Sequence, residues 1–193
     1  LLPTFLDNHD MERVSHLAQD NHPIIALGYL IQLTLPYPPI IYYGSERAQV
    51  QSNNFAKGQY ERDRFFREPM HWHGGQDMAN WVSSLVQYRN KYITWFMSEP
   101  VSIKLLNENI FTYSYSHKDT LITVLINYTS VQQEIVLPII PNEKLVSSNN
   151  TIHHCNDSSI KLQLQGCSGA IINSNLNHAI KDTTLEETIL TVA

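Results

Sequence analysis

The chain is 193 residues long, room for one ordinary domain or two small ones. Its hydrophobic fraction of 42% allows real cores, and a formal net charge of −5 leaves no basic footprint, which argues against nucleic acid as a partner. Cys155 and Cys167 are the only cysteines and make no C-x-x-C pair, which argues against a zinc knuckle or a redox motif; either they pair across two strands or they stay as ordinary thiols.

The chain opens on Leu1-Leu2-Pro3-Thr4-Phe5-Leu6, with neither Met nor a signal peptide, and reads as the middle of a longer protein. Residues 3–6 predict a short buried strand, with the polar Asp7-Asn8-His9-Asp10 directly against it. A helical stretch is expected over about residues 11–18, and Asn21-His22-Pro23 punctuates. Residues 24–35 are apolar nearly all round, as in a helix packed on several sides. From Ile24 to Tyr43 there is no charged residue, over roughly the length a bilayer needs. Pro36, Pro38 and Pro39 stop any helix there. The segment therefore reads as a buried helix followed by a buried strand at 40–43, not as a membrane span.

Strand, helix, strand suggests a parallel βαβ unit. Residues 45–76 look irregular, and a loop of that length inside a domain is usually functional. Asp77 is positioned to cap a helix running to about Met97, before Pro100. From about residue 101 the apolar period changes to two. Strands are expected at 101–105, 110–115, 121–127, 133–137, 144–146, 159–164 and 169–172, with turn residues between them, the pattern of an all-β sandwich or barrel. The organisation read from the chain is thus α/β over residues 1–100, all-β over 101–175, and a tail over 176–193 without clear period.

Asp7-Asn8-His9-Asp10 is the most informative stretch. In a parallel α/β barrel the active site lies at the C-terminal ends of the strands. Carboxylates, an imidazole and an amide beside a core must be hydrogen-bonded or functional. On local composition alone, a simple polar turn and a site weigh equally.

Phe5-Leu6-Asp7-Asn8-His9-Asp10 closely resembles the motif on the seventh barrel strand of α-amylase-family glycoside hydrolases. Pro39-Ile40-Ile41-Tyr42-Tyr43-Gly44-Ser45-Glu46 resembles the family's eighth strand and the turn after it. Arg67-Glu68-Pro69-Met70-His71-Trp72 resembles the Arg-x-Pro-Met-x-Trp stretch of several α-glucan and α-glucoside hydrolase branches. The motifs stand in the family's order, and the resemblance covers about residues 1–175. Two departures leave the branch open. Tyr37 or Pro38 stands where Gly is frequent, and Ser45 where an acidic or amide residue is common.

The resemblance implies the last two β/α units of a (β/α)₈ TIM barrel followed by an antiparallel β-sandwich. It implies a retaining glycosidase or transglycosylase acting on an α-glucan or α-glucoside, through one nucleophilic carboxylate and one acid/base carboxylate. Those two lie on earlier barrel strands, so the chain alone is expected to be inactive. By position, Asp10 corresponds to the third carboxylate, which stabilises the transition state by binding the 2- and 3-hydroxyls, and His9 to a donor on the same hydroxyls. Arg67 is expected to bind substrate in the same cleft; the alternative is a surface Arg capping its loop. Glu46 either lines the cleft or makes a structural salt bridge.

No cofactor is identifiable, and any calcium site would lie mainly upstream. No metal site is expected: His71 and His73 would diverge, and His153-His154 reads as a solvated loop. The Asn127-Tyr128-Thr129 sequon reads as chance. The competing functional reading is a non-catalytic carbohydrate-binding or interaction protein that keeps the β domain and a barrel remnant.

Overall fold

In the computed structural model, which describes residues 2–52, 62–98, 100–137, 146–147, 152–155 and 159–175, the chain separates into the units Leu1–Lys91 and Tyr92–Ala193. The division falls earlier than the change of period at residue 101. The reason is local: the helix expected to reach Met97 stops at Lys91, and a separate helical turn, Ile93–Phe96, belongs to the second unit.

The first unit contains α1 (Val14–Leu17), α2 (His22–Thr34), a 3₁₀ turn (Ser45–Arg47), α3 (Arg62–Phe66) and α4 (Gln76–Lys91). Asn21 starts α2, accepting a hydrogen bond from the Ile24 N–H at 3.3 Å, and Pro23 sits in the first turn, where no N–H is needed. The helix ends at Leu35, whose backbone is extended ahead of Pro36. Ile25, Leu27, Tyr29, Leu30 and Leu33 are all buried, so the helix is covered on several sides. Its C-terminal carbonyls are met from α4. Buried Arg89 donates to the Leu33, Leu35 and Tyr37 carbonyls at 2.8, 2.9 and 2.9 Å, satisfying groups that a helix end leaves without partners.

The strands expected at 3–6 and 40–43 reduce to a single parallel bridge between Thr4 and Pro39. Thr4 N–H donates to Pro38 O at 2.9 Å and Ile40 N–H to Thr4 O at 2.8 Å. The ladder goes no further because Pro3, Pro38 and Pro39 have no N–H to give. The Gln32 amide, reaching from α2, donates to both Thr4 O and Ile40 O at 2.9 Å and fastens the two segments to the helix that connects them. The helix expected over 11–18 shortens to α1, and Gln19 and Asp20, both with positive φ, turn the chain after it. No helix among the described residues is long and apolar enough to cross a membrane.

The second unit begins with α5 (Ile93–Phe96), which continues into β1 (Ser102–Asn107), β2 (Ile110–His117), β3 (Thr120–Asn127), β4 (Gln133–Leu137), β5 (Val146–Ser147), β6 (Ile152–Cys155), β7 (Ile160–Leu164) and β8 (Ser168–Asn175). Two antiparallel sheets form, in the orders β1-β2-β3-β8-β5 and β4-β7-β6. Their alternation is visible in β7, where Ile160, Leu162 and Leu164 are buried and Lys161 is exposed. Ile110, Leu125, Ala170 and Ile172 of one sheet and Ile135, Leu137, Ile160, Leu162 and Leu164 of the other share one core, the packing of a sandwich. The helical turn α5 is tied in by its aromatics. Phe96 meets Tyr115 edge-on at 5.2 Å, and the Tyr92 hydroxyl accepts from Asn173 at 2.7 Å.

Residues 152–155, read as a solvated loop, form strand β6 paired with β7. Cys167 is a free thiol, so the pairing with Cys155 is not made. Asn127 is fully buried, with its amide donating to Val131, Leu164 and Gln165 carbonyls; this sequon is structural. Most of the strand expected at 144–146, and the tail 176–193, lie outside the described residues.

Candidate active site

Asp7-Asn8-His9-Asp10 splits into a buried part and an exposed part. Asp7 is only 1% exposed. Both of its oxygens accept from the Ser45 hydroxyl, at 2.7 and 2.6 Å, and Oδ2 also accepts from the Val14 N–H at 2.8 Å. Asp7 thereby closes the loop that runs to α1. Asn8 then makes an Asx turn, its side-chain oxygen accepting from the Asp10 N–H at 2.8 Å. That turn carries Asp10 outward.

The Asp10 carboxylate meets a guanidinium and an imidazole. Arg67 Nη2 lies 2.8 Å from Oδ1, and His9 Nε2 lies 3.2 Å from Oδ2. Each carboxylate oxygen keeps lone-pair capacity for a further donor. The side chains of His9, Asp10 and Arg67 are 59%, 65% and 46% exposed. An ion pair that wet contributes only about 0–1 kcal/mol to folding.

The segment bearing Arg67 is held by side chains rather than by a ladder. Tyr42 donates its hydroxyl to Phe66 O at 3.0 Å, and Tyr43 donates to Glu68 O at 2.9 Å. The Glu68 carboxylate accepts from the Ser52 N–H at 3.1 Å and from the Ser52 hydroxyl. Gln49 donates to Pro69 O and accepts from the His71 N–H, both at 3.0 Å. Gly44 makes room for Gln49: its φ is +86°, and a Cβ there would come within 2.4 Å of Gln49 Oε1. Gly75 likewise admits Arg47, whose carbonyl oxygen would stand 2.0 Å from an added Cβ, and Arg47 donates to Gly74 O at 2.8 Å.

Under this turn lies Arg13, fully buried. Its Nη1 donates to Tyr43 O and, at 3.3 Å, to Ser45 Oγ. Its guanidinium stands 4.5 Å from the Tyr42 ring centroid and 4.9 Å from that of Tyr43, within cation–π range. Arg13 Nε and Nη2 have no hydrogen-bond partner among the described residues. Burial, with the neighbouring Tyr43 adding to it, pushes the Tyr42 phenol up to about 12. Burial, with Asp7 and Glu46 adding to it, raises the Tyr29 phenol as well.

The structure therefore brings Asp10, His9 and Arg67 onto one carboxylate. Among the described residues, Glu46 makes no ion pair, and its buried Oε2 has no hydrogen-bond partner. Ser45, at a position where the resemblance leads one to expect an acidic or amide residue, is the donor that Asp7 needs. Arg13 and the Tyr42-Tyr43 pair escaped the sequence reading. A lone arginine just after a polar cluster, and an aromatic pair in an apolar run, look like a surface charge and core residues until their contacts are known.

No protein-family model matches the chain, and no curated protein matches it in sequence. Solved structures match over most of it. An α-amylase from Anoxybacillus aligns at 22% identity and a TM-score of 0.67, covering 91% of this chain and 38% of its own. The α-amylase of Geobacillus thermoleovorans, solved with acarbose, aligns at 22% identity and a TM-score of 0.67, covering 90% and 39%. Isomaltulose synthase from Klebsiella sp. LX3 aligns at 15% identity and a TM-score of 0.68, covering 89% and 42%. The fold is that of the C-terminal portion of α-amylase-family glycoside hydrolases. The chain spans about two fifths of the length of these enzymes.

Proposed function

We propose that the chain forms the C-terminal part of a retaining glycosidase or transglycosylase acting on α-glucosidic bonds, with the final β/α units of the barrel in its first unit. Asp10 is the carboxylate that binds the sugar's 2- and 3-hydroxyls and tightens as positive charge develops on the ring. His9 donates to the same hydroxyls, and Arg67 holds the Asp10 carboxylate oriented while facing the substrate. The nucleophile and the general acid come from sequence outside these 193 residues, so the chain alone does not turn over substrate.

The observation that carries this reading is the meeting of Arg67 and His9 on the two oxygens of Asp10, at 2.8 and 3.2 Å. Residues singled out by two separate motifs, His9 and Asp10 by one and Arg67 by the other, converge there, and folding stability gives little reason for a contact so exposed. The fold shared with α-amylases and an isomaltulose synthase supports the substrate class.

The test is steady-state kinetics of Asp10→Asn in the protein extended by its upstream coding sequence. The expected result is a fall in kcat of roughly 10²–10³, the size seen for other preorganised electrostatic contacts, with KM little changed. A variant that raises KM and leaves kcat intact would make Asp10 an ordinary binding residue.

A further inference from the structure

We propose that Tyr42 and Tyr43 are a paired positioning device that sets the Arg67 guanidinium on Asp10. The two hydroxyls grip the carbonyls of the residues on either side of Arg67: Tyr42 that of Phe66 at 3.0 Å, Tyr43 that of Glu68 at 2.9 Å. Holding the 66–67 peptide on one side and the 68–69 peptide on the other brackets the Arg67 backbone between two fixed points, and so restrains the origin of its side chain. Helix α3 ends at Phe66 and no strand follows, so no regular ladder could do this.

The device is itself braced from below. The rings lie 4.6 Å apart, and the buried Arg13 guanidinium stands over both. Arg13 also donates to the Tyr43 carbonyl and to Ser45, which in turn donates to Asp7. A continuous set of contacts thus runs from Asp7, at the buried end of the Asp7–Asp10 stretch, through Ser45, Arg13 and the tyrosines to Arg67, and returns to Asp10 at its exposed end.

The inference rests on the proposed function only for what Arg67 does in the cleft; the positioning itself can be read without substrate. The measurement is ¹⁵N NMR of the arginine guanidinium groups in the full 193-residue chain. The Arg67 resonances are identified as those missing in Arg67→Lys. In the unsubstituted chain they should show the resolved Nη signals of hindered rotation, and these should collapse to an average in Asp10→Asn. Tyr42→Phe/Tyr43→Phe keeps both rings and removes only the hydroxyls. It should produce the same collapse while far-UV circular dichroism stays unchanged, a signature that a merely structural loss of stability does not mimic.

Should the double variant not fold, Tyr43→Phe alone decides, since that ring is partly exposed and its loss of one hydroxyl should still broaden the Arg67 signals. Arg67 signals as hindered without the hydroxyls as with them would overturn the proposal. So would an unsubstituted chain in which Arg67 rotates freely. If the NMR result holds and Asp10→Asn has no kinetic effect in the extended protein, the functional reading fails while the positioning stands.

Discussion

Ser45 gives its hydroxyl to Asp7 across 38 positions of sequence, 2.7 Å from one carboxylate oxygen and 2.6 Å from the other. The contact divides the labour of the Asp7-Asn8-His9-Asp10 stretch. Asp7 turns inward and fastens the chain to the turn after Tyr43. Asp10 turns outward and takes Arg67. Two identical side chains three residues apart thus have opposite solvent environments, and only the exposed one can reach a ligand.

Ser45→Ala removes one donor from a buried carboxylate. It should destabilise the first unit by about 1–3 kcal/mol, the cost of leaving a buried polar group under-satisfied. Asp7→Ala should cost more, because it also strips the Val14 N–H of its acceptor. Urea unfolding midpoints, followed by a probe in residues 1–91, check this. Equal midpoints for Ser45→Ala and the unsubstituted chain would count against the assignment of Asp7 as a structural anchor.

Arg89→Met keeps most of the side-chain volume and deletes the donors to the Leu33, Leu35 and Tyr37 carbonyls. A loss of roughly 2–4 kcal/mol is expected for charged hydrogen bonds at a buried site. Amide exchange should accelerate first near the C-terminal end of α2, because that is where carbonyls lose their partner. Acceleration confined to α4 would contradict this.

Tyr42 provides a pH signature. Its phenol titrates near 10.0 when unfolded and about 12 when folded. Between those values the unfolded chain releases a proton that the folded chain keeps, so the contribution of this group to stability is complete below pH 10 and is lost as pH rises toward 12. Tyr42→Phe should therefore show a shallower alkaline loss of stability in that window, measured by urea midpoints at successive pH values. Parallel curves for the two proteins would rule out the raised phenol.

In the protein extended upstream, His9→Ala removes a donor from the contact that Asp10 makes. Its effect on kcat should be smaller than that of Asp10→Asn, about 10–10²-fold, the equivalent of one or two hydrogen bonds. The double substitution should cost less than the product of the single effects, because both residues act on the same hydroxyls. Fully multiplicative effects would place His9 and Asp10 on different parts of the substrate.

Hydrogen exchange should rank the units. Strand β3 is paired on both sides, with Val124 opposite Tyr113 of β2 and Ile171 of β8, whereas Thr4 and Pro39 make only one bridge. Amides of residues 121–127 should be the most protected. Stronger protection at Thr4 or Ile40 would reverse the expected order of opening.

The sequence by itself determined the elements whose cause is local or periodic. Alternating apolar residues placed strands at 110–115, 121–127 and 159–164, within two residues of where the structure has them, because a half-buried strand repeats every two residues. Asn21, Pro23 and Pro36 bounded α2, because capping and the missing proline N–H act within a turn. The motifs also singled out Asp10, His9 and Arg67 as site candidates. What only the tertiary structure decided were the contacts between distant positions. That Thr4 and Pro39 make one bridge and no strand depends on which N–H groups face each other across the pair. That Asp7 is buried and Asp10 exposed depends on Ser45 arriving from 38 residues away. That Arg67 reaches Asp10 across 57 residues depends on Tyr42, Tyr43, Gln49 and Ser52 holding an irregular segment in place. Nothing periodic encodes such contacts, because each is made by side chains whose partners become neighbours only when the chain has closed.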